Sequence, residues 1–279
     1  MENFIIEVAI FIFGAILGSF LNVCIVRLPL EKSVVRPRSH CVNCKKMIAW
    51  YDNIPFISYI LLKGRCRHCK KDISLRYVLV ELLTAVTFVG LYRYYDGFTG
   101  LYFSYLVMFS GFIVATFVDF EHRIIPDEIS VGGMFAGLIL SIFIPELHGL
   151  HARANSGFMI YAQSFWRSFL GVLIGGGSIY AMGRLGDVIF KKESMGGGDV
   201  KLMAMVGAFM GWKLVLLTFF VAPFFGAIYG IVEKIRTKDS AIAYGPFLVL
   251  GAIISLFYGE QLIQWIIGGY GFYDIHQQL

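Results

Sequence analysis

The apolar residues of this chain fall into long blocks, and this arrangement limits what the chain can fold into. Most blocks run about 17–24 residues, the length that crosses the hydrocarbon core of a bilayer as an α-helix. Hydrophobic residues make up 57% of the chain and charged residues 15%, whereas soluble domains have about 45–50% and 25%. Lipid-exposed backbone must satisfy its own hydrogen bonds, and the blocks show no barrel-like alternation. We therefore predict an all-α polytopic membrane protein.

About eight transmembrane helices are expected. They cover residues 4–26, 78–95, 101–118, 128–145, 165–186, 199–211, 212–232 and 246–268. The sixth and seventh share one apolar run and are divided only at residues 211–213. The first block begins with the acidic residues Glu2 and Glu7 instead of a basic region, so we expect it to stay as a membrane helix and not to be cleaved as a signal peptide.

Basic residues are concentrated on one side of the predicted bundle. Twelve of the 24 Lys and Arg residues lie within residues 27–76, and with eight spans this segment shares its side with the loops 119–127, 187–198 and 233–245. Because positively charged loops stay in the cytoplasm, segment 27–76 is predicted to be cytoplasmic and both ends of the chain to lie outside. The net charge of +5 therefore reports topology, and no nucleic-acid partner is expected.

The polar segment 27–77 carries two C-x2-C pairs. Their members are Cys41, Cys44, Cys66 and Cys69. Such pairs are typical of a zinc ribbon with four thiolate ligands, and a segment of about 50 residues needs a metal because it cannot bury a sufficient core. Two disulfides are the alternative, which a reducing cytoplasm disfavours, and His68 could compete as a ligand. Four thiolates leave zinc no open position, so a structural Zn2+ ion is predicted.

Two acidic segments lie at the predicted cytoplasmic edge of the membrane. Asp119 begins the segment 119–127 after the third span, and Asp199 follows three glycines at the start of the sixth. Ionisable groups at such positions are costly and usually functional. Two carboxyl groups held close together share one proton, so the ionised member can activate water while the protonated member polarises a peptide carbonyl. The pattern predicts an aspartic protease with Asp119 and Asp199 as its catalytic pair.

Structural roles remain open for each acidic residue. Asp119 could pair with Arg123, four residues further on. Asp127 follows Pro126 and suits the positive end of a helix. The sequence contains no G-x-S-x-G, no H-E-x-x-H and no G-x-x-x-x-G-K-[ST] motif, which argues against a serine hydrolase, a zincin and a nucleotide-driven pump.

Along most of its length the chain resembles the type IV prepilin peptidases of the G-x-G-D class. The motifs that carry the resemblance are residues 18–23, 27–29, 38–44, 53–55, 64–69, 73–77, 80–82, 119–127, 196–201 and 244–247. The resemblance implies an enzyme of the bacterial inner membrane that cuts the basic leader from type IV prepilins or type II secretion pseudopilins at the cytoplasmic face. In that family the catalytic aspartates correspond to Asp119 and Asp199.

The resemblance also implies a second activity. Many members methylate the new N-terminal amine with S-adenosylmethionine, and the bifunctional members carry the four-cysteine domain, which is complete here. We therefore expect a first transmembrane helix (residues 1–26), a cytoplasmic zinc domain (27–77) and a transmembrane peptidase domain (78–279). Glu81 matches an acidic position of the family, with a structural and a functional role both open. No glycine fingerprint for the methyl donor is present, so its binding residues stay unassigned.

Two other functions compete with this interpretation. One is a protease without methyltransferase activity, whose zinc domain is only structural. The other is an ion-coupled membrane transporter that uses Asp119 and Asp199 as a proton site. Small-residue pairs such as Gly171 and Gly175 would suit close helix packing in either case. The long outer segment 145–163 is predicted to be a plain connector.

Overall fold

The computed structural model describes residues 2–151, 157–191, 195–237 and 243–268. The described residues form helices and no named strands. The helices are α1 (Glu2–Arg27), α2 (Ile57–Leu61), α3 (Arg76–Tyr94), α4 (Gly100–His122), α5 (Asp127–Phe143), α6 (Met159–Phe190), α7 (Gly197–Thr237) and α8 (Gly245–Gly268). The four-cysteine segment lies between α1 and α3, the first two long helices. The predicted all-α fold and the position of its polar domain are confirmed.

Six of these helices are long and apolar enough to span a membrane, so the protein is a multi-pass membrane protein. The predicted number of eight is approximate. α5 has 17 residues and falls just short of that length, and α7 counts once although its backbone is interrupted. At Gly211 the backbone has φ 74° and ψ 175°, which is not helical.

The interruption at Gly211 folds the two halves of α7 back on each other. A Cβ atom placed on Gly175 of α6 would lie 2.3 Å from the Met203 carbonyl oxygen and 2.8 Å from Val215 Cγ2. In one straight helix, residues 203 and 215 would be about 18 Å apart along the axis. Both halves of α7 therefore lie beside Gly175 at the same height along α6. The chain turns at Gly211, within residues 211–213, where the sequence predicted that this apolar run divides into two helices.

Glycines set the closest helix contacts of the bundle. A Cβ on Gly171 of α6 would lie 2.0 Å from the carbonyl oxygen of Gly207 in α7, and one on Gly137 of α5 would lie 2.8 Å from Ala208 Cβ. At such positions only a hydrogen lets the backbones approach. The core between these helices is filled by large buried side chains, among them Phe112, Met205 and Phe209.

The ends of the helices that carry the acidic segments lie on the same side as the four-cysteine domain. Arg76, which begins α3, forms an ion pair with Glu121 in the last turn of α4. Glu121 and His122 also line a cavity whose other walls come from the four-cysteine domain and from the ends of α1 and α3. The polar domain therefore sits directly beside the end of α4, where Asp119 lies.

Candidate active site

Asp119 is held at the end of α4 with only 5% of its surface exposed. The helix stops because Arg123 adopts a left-handed conformation, with φ 55°, and donates its N–H to the Asp119 carbonyl at 2.8 Å. The carboxylate Oδ2 accepts the main-chain N–H of Gly245 at 2.9 Å. The start of α8 thus fixes the direction of the Asp119 side chain.

Asp199 is the third residue of α7. Its N–H donates to the Gly196 carbonyl at 3.2 Å, which ties the glycine run into the first turn. A Cβ on Gly198 would lie 3.1 Å from Ile125 Cβ, so this glycine lets α7 approach the segment that follows Asp119. Around Gly197 no atom lies within 4 Å of such a Cβ, which leaves open space at the start of α7.

The structure brings Asp119 and Asp199 close enough for their charges to interact. Ile125, 7% exposed, packs between their helices, with its side chain against both Gly198 and Gly245. Three segments that are distant in the sequence therefore meet at one point. A pair of carboxyl groups in such a partly buried site can share a proton and divide the roles of acid and base.

Tyr244 adds a third titratable group beside the pair. Burial and the negative charge of Asp199 raise the pKa of Tyr244 to about 12. The phenol therefore stays protonated at neutral pH and can donate a hydrogen bond. In the sequence, Tyr244 and Gly245 stand out only as part of a family motif. The N–H that Gly245 gives to Asp119 could not be predicted, because a main-chain contact leaves no signal in residue type.

Asp127 does not belong to the pair. It begins α5, and both its carboxylate oxygens contact Lys201 Nζ, at 2.6 and 2.7 Å. This ion pair is largely exposed. It links the start of α5 to the first turn of α7. The carboxylate of Asp127 is therefore used in a surface ion pair.

The four domain cysteines form one cluster. Their Sγ atoms all lie within 4.8 Å of one another, and none of the chain's five cysteines is in a disulfide. Both knuckles fold alike, because Lys45 and Lys70 each have a positive φ and each donates an N–H to the first cysteine of its knuckle. The cluster that the sequence predicted is therefore present, and His68 is not part of it.

The geometry of the cysteine cluster suits a tetrahedral metal. A zinc ion bound by four thiolates at about 2.3 Å separates the sulfur atoms by about 3.8 Å, and the Cys41 and Cys69 Sγ atoms are 3.8 Å apart. Backbone N–H groups of Cys69 and His68 lower the pKa of the Cys66 thiol to about 6. Because the thiolate is the form that binds metal, this environment favours a cation.

Comparisons with known proteins agree along the chain. Residues 12–95 match the family model described as the bacterial peptidase A24 N-terminal domain, and residues 106–231 match the type IV leader peptidase family. No solved structure matches the chain.

Three relatives illustrate the similarity. The prepilin leader peptidase/N-methyltransferase of Myxococcus xanthus is 38% identical over 230 residues, which cover 82% of this chain and 64% of that protein. The protein of the same name from Pseudomonas aeruginosa is 31% identical and covers 93% of this chain and 92% of its own length. The type 4 prepilin-like proteins leader peptide-processing enzyme of Escherichia coli is 32% identical, covering 88% of this chain and 91% of its own length.

Proposed function

Because the chain belongs to the type IV leader peptidase family, we propose that it removes the leader peptide from type IV prepilins or type II secretion pseudopilins. We propose further that it then methylates the N-terminal amine that the cut exposes. One observation carries the peptidase assignment. Asp119, at the end of α4, and Asp199, at the start of α7, lie close together, and the Gly245 N–H orients Asp119.

The proposed cut needs no covalent intermediate. One carboxylate takes a proton from a water molecule, and the water oxygen attacks the scissile carbonyl carbon. The protonated partner donates to the carbonyl oxygen and later supports the leaving amine. Tyr244, protonated beside Asp199, is a further donor for the charge that develops on that oxygen.

The position of the pair suits a substrate that lies partly in the membrane. A pilin precursor has a basic leader followed by a long apolar helix, and that helix can lie in the bilayer against the bundle. We place the protein in the bacterial inner membrane, with the pair and residues 27–77 in the cytoplasm, as the distribution of Lys and Arg favours. Residues 78–279 form the peptidase domain in this proposal.

The proposed function implies two ligands, Zn2+ and S-adenosylmethionine, and different observations support each of them. For Zn2+, the thiol cluster fits in spacing and in number, and four protein ligands make the ion a structural one. S-adenosylmethionine would supply an electrophilic methyl group on a sulfonium sulfur. The methyltransferase is supported by the names of the relatives and by the complete set of cysteines.

Single aspartate substitutions test the peptidase. Asp119→Asn and Asp199→Asn should each abolish leader removal from a purified prepilin, while methylation of a pre-cut substrate persists. Asp127→Asn is the matched control, because its ion pair with Lys201 lies outside the pair, and it should cleave within a few-fold of the wild type. Retained cleavage in either of the first two variants would refute the assignment.

A labelled methyl donor tests the second activity. The wild-type protein should transfer label from S-adenosylmethionine to the cleaved product, whereas a protease-only enzyme would leave it unlabelled. Cleavage by the purified protein in detergent would also exclude a transporter as the main function, since no ion gradient exists there.

A further inference from the structure

A second site lies beside the aspartate pair. A cavity of about 610 Å3 separates the four-cysteine domain from the ends of α1, α3 and α4, a volume typical of small-molecule sites. We call it the domain–helix cavity. Its lining includes Asn22, Phe56, Glu81, Glu121 and His122.

Asn22 lines this cavity and carries a buried acceptor without a partner among the described residues. The side chain is 1% exposed, and its Nδ2 donates to the carbonyl oxygens of Gly18 and Tyr77 at 3.3 and 2.9 Å. The amide orientation is thereby fixed, and Oδ1 lies buried with no hydrogen-bond partner among the residues that the structure describes. A buried acceptor without a donor is costly.

Glu81 is the second acceptor and the charged one. It is 8% exposed, and its Oε2 accepts the N–H of Phe56 at 3.1 Å. Phe56 holds that N–H in place with φ 59° and ψ −52°, a strained conformation for a bulky residue, and such strain is frequent at functional sites. A hydrogen bond from Ser19 on α1 also reaches the Glu81 carboxylate.

The other carboxylates of the lining already have cationic partners. Asp52 is bound by Arg67, Asp72 by Arg65 and Glu121 by Arg76. Within the described part of the chain, Glu81 alone of the four lining carboxylates has no ion pair. A buried carboxylate is normally paired, so the part of a ligand that reaches Glu81 carries a positive charge and hydrogen-bond donors, while Arg27, Lys46 and Lys71 make other parts of the lining basic.

The domain–helix cavity reaches the end of the helix that carries Asp119. His122, in its lining, follows Asp119 by three residues on the same helix, a rise of about 4.5 Å. A peptide end released at Asp119 therefore needs to move only a short distance to enter the cavity. The new end of a cleaved substrate is an ammonium group with three N–H donors.

We propose that the domain–helix cavity receives the amino terminus freed by cleavage, and that the Glu81 carboxylate holds its nitrogen for methylation. The inference rests on the proposed function and assigns residues to its second step. In this proposal the amine binds at the ends of the membrane helices α1 and α3, and the four-cysteine domain forms the opposite wall of the cavity.

Methylation of the bound amine moves one proton and one methyl group. The ammonium group gives a proton to Glu81. The nitrogen lone pair then forms an N–C bond to the methyl group of the sulfonium donor, the C–S bonding electrons stay on sulfur, and a neutral thioether leaves. The product is a secondary ammonium, and Glu81 returns its proton to water.

Binding without the methyl donor tests the assignment. The probe is an apolar peptide that begins with a free phenylalanine and carries a fluorophore at its other end, compared with the same peptide acetylated at its N-terminus. Fluorescence anisotropy with the full chain in detergent should show the wild type preferring the free amine by tenfold or more, the range for a hydrogen bond to a charged group. Glu81→Gln should reduce that preference.

The matched control is Glu7→Gln. Glu7 is also a carboxylate, but it lies on α1, where it pairs with Arg93, twelve or more positions before the cavity residues of that helix. It should keep the wild-type preference. Melting temperature and bound zinc identify a variant that has not folded. Equal binding of both peptides by the wild type, or an unchanged preference in folded Glu81→Gln, overturns the inference. Absence of prepilin cleavage by the wild type would instead refute the proposed function, because the binding ratio does not depend on it.

Discussion

The main-chain N–H of Gly245 donates to Oδ2 of Asp119 at 2.9 Å, across 126 positions of sequence. This contact joins the first residue of α8 to the last turn of α4. It sets the direction of one carboxylate by a group that no side-chain substitution can remove. The proposed peptidase site is therefore partly built from backbone.

Gly245→Ala should disable cleavage without unfolding the protein. The new Cβ would lie 2.9 Å from Asp119 Oδ2 and 3.1 Å from Ile125 Cδ1, so the carboxylate has to turn away from its partner. A misplacement of about 1 Å can cost on the order of 100-fold in rate, and we expect at least a tenfold lower kcat for leader removal. Gly132→Ala is the control, since nothing lies within 4 Å of its Cβ. Wild-type kcat in Gly245→Ala would contradict the role given to this contact.

Gly18→Ala should loosen the seam between α1 and α3. Its Cβ would lie 2.7 Å from the Glu81 Cα, and because that atom is backbone the two helices must separate. Overpacking of this kind costs about 1–3 kcal/mol, so the melting temperature should fall and methylation should weaken with it. Gly90→Ala, in α3, has open space around its Cβ and should melt like the wild type. Equal melting of both variants would show that the seam adapts freely.

Metal analysis should find about one zinc ion per chain in the purified protein. Cys44→Ser should lose most of it, because three thiolates hold zinc much less tightly than four. Cys24→Ser changes a cysteine that is buried in α1 and packs in the apolar cluster there, and its zinc content should stay at the wild-type level. Zinc retained in Cys44→Ser would point to a different ligand set, such as one that includes His68.

His148 should make thermal stability depend on pH below neutrality. Burial, assisted by the positive charge of Arg167, lowers the pKa of His148 to about 4, against about 6.5 in an unfolded chain. Between these values the unfolded chain binds the proton and the folded one does not. Stability should therefore be complete above about pH 6.5 and fall as the pH drops toward 4, by up to about 3 kcal/mol.

Melting curves between pH 4 and pH 7 measure this effect. His148→Gln should flatten the profile, whereas His151→Gln, at an exposed position, should keep the wild-type slope. If the melting temperature of His148→Gln depends on pH as steeply as that of the wild type, groups other than His148 cause the loss of stability in acid.

The sequence predicted the helices well because lipid imposes one strong rule on every span. The apolar blocks ended close to the observed helix ends, and the division at residues 211–213 coincided with the backbone break at Gly211. The cysteine spacing was equally informative, because two residues between thiols leave little choice of geometry. Asp119 and Asp199 could be singled out because carboxylates at membrane helix ends are rare.

What the sequence did not predict depends on contacts between distant segments. Asn22 looked like one polar residue in an apolar helix, and only its neighbours show that Oδ1 lacks a donor. The segment 145–163 was predicted to be a plain connector, yet its described part packs into the bundle. Leu147 is buried, and His148 Nδ1 lies 3.1 Å from where a Gly211 Cβ would be. Residues 152–156 of that segment lie outside the described part of the chain.

The contribution of α8 to Asp119 has a consequence for biosynthesis. Membrane helices are made in order, and Asp119 emerges from the ribosome long before Gly245. Until α8 is made, the Asp119 carboxylate lacks the N–H that orients it. We therefore expect a chain truncated before residue 245 to keep both aspartates and to cleave a prepilin more slowly than the full chain.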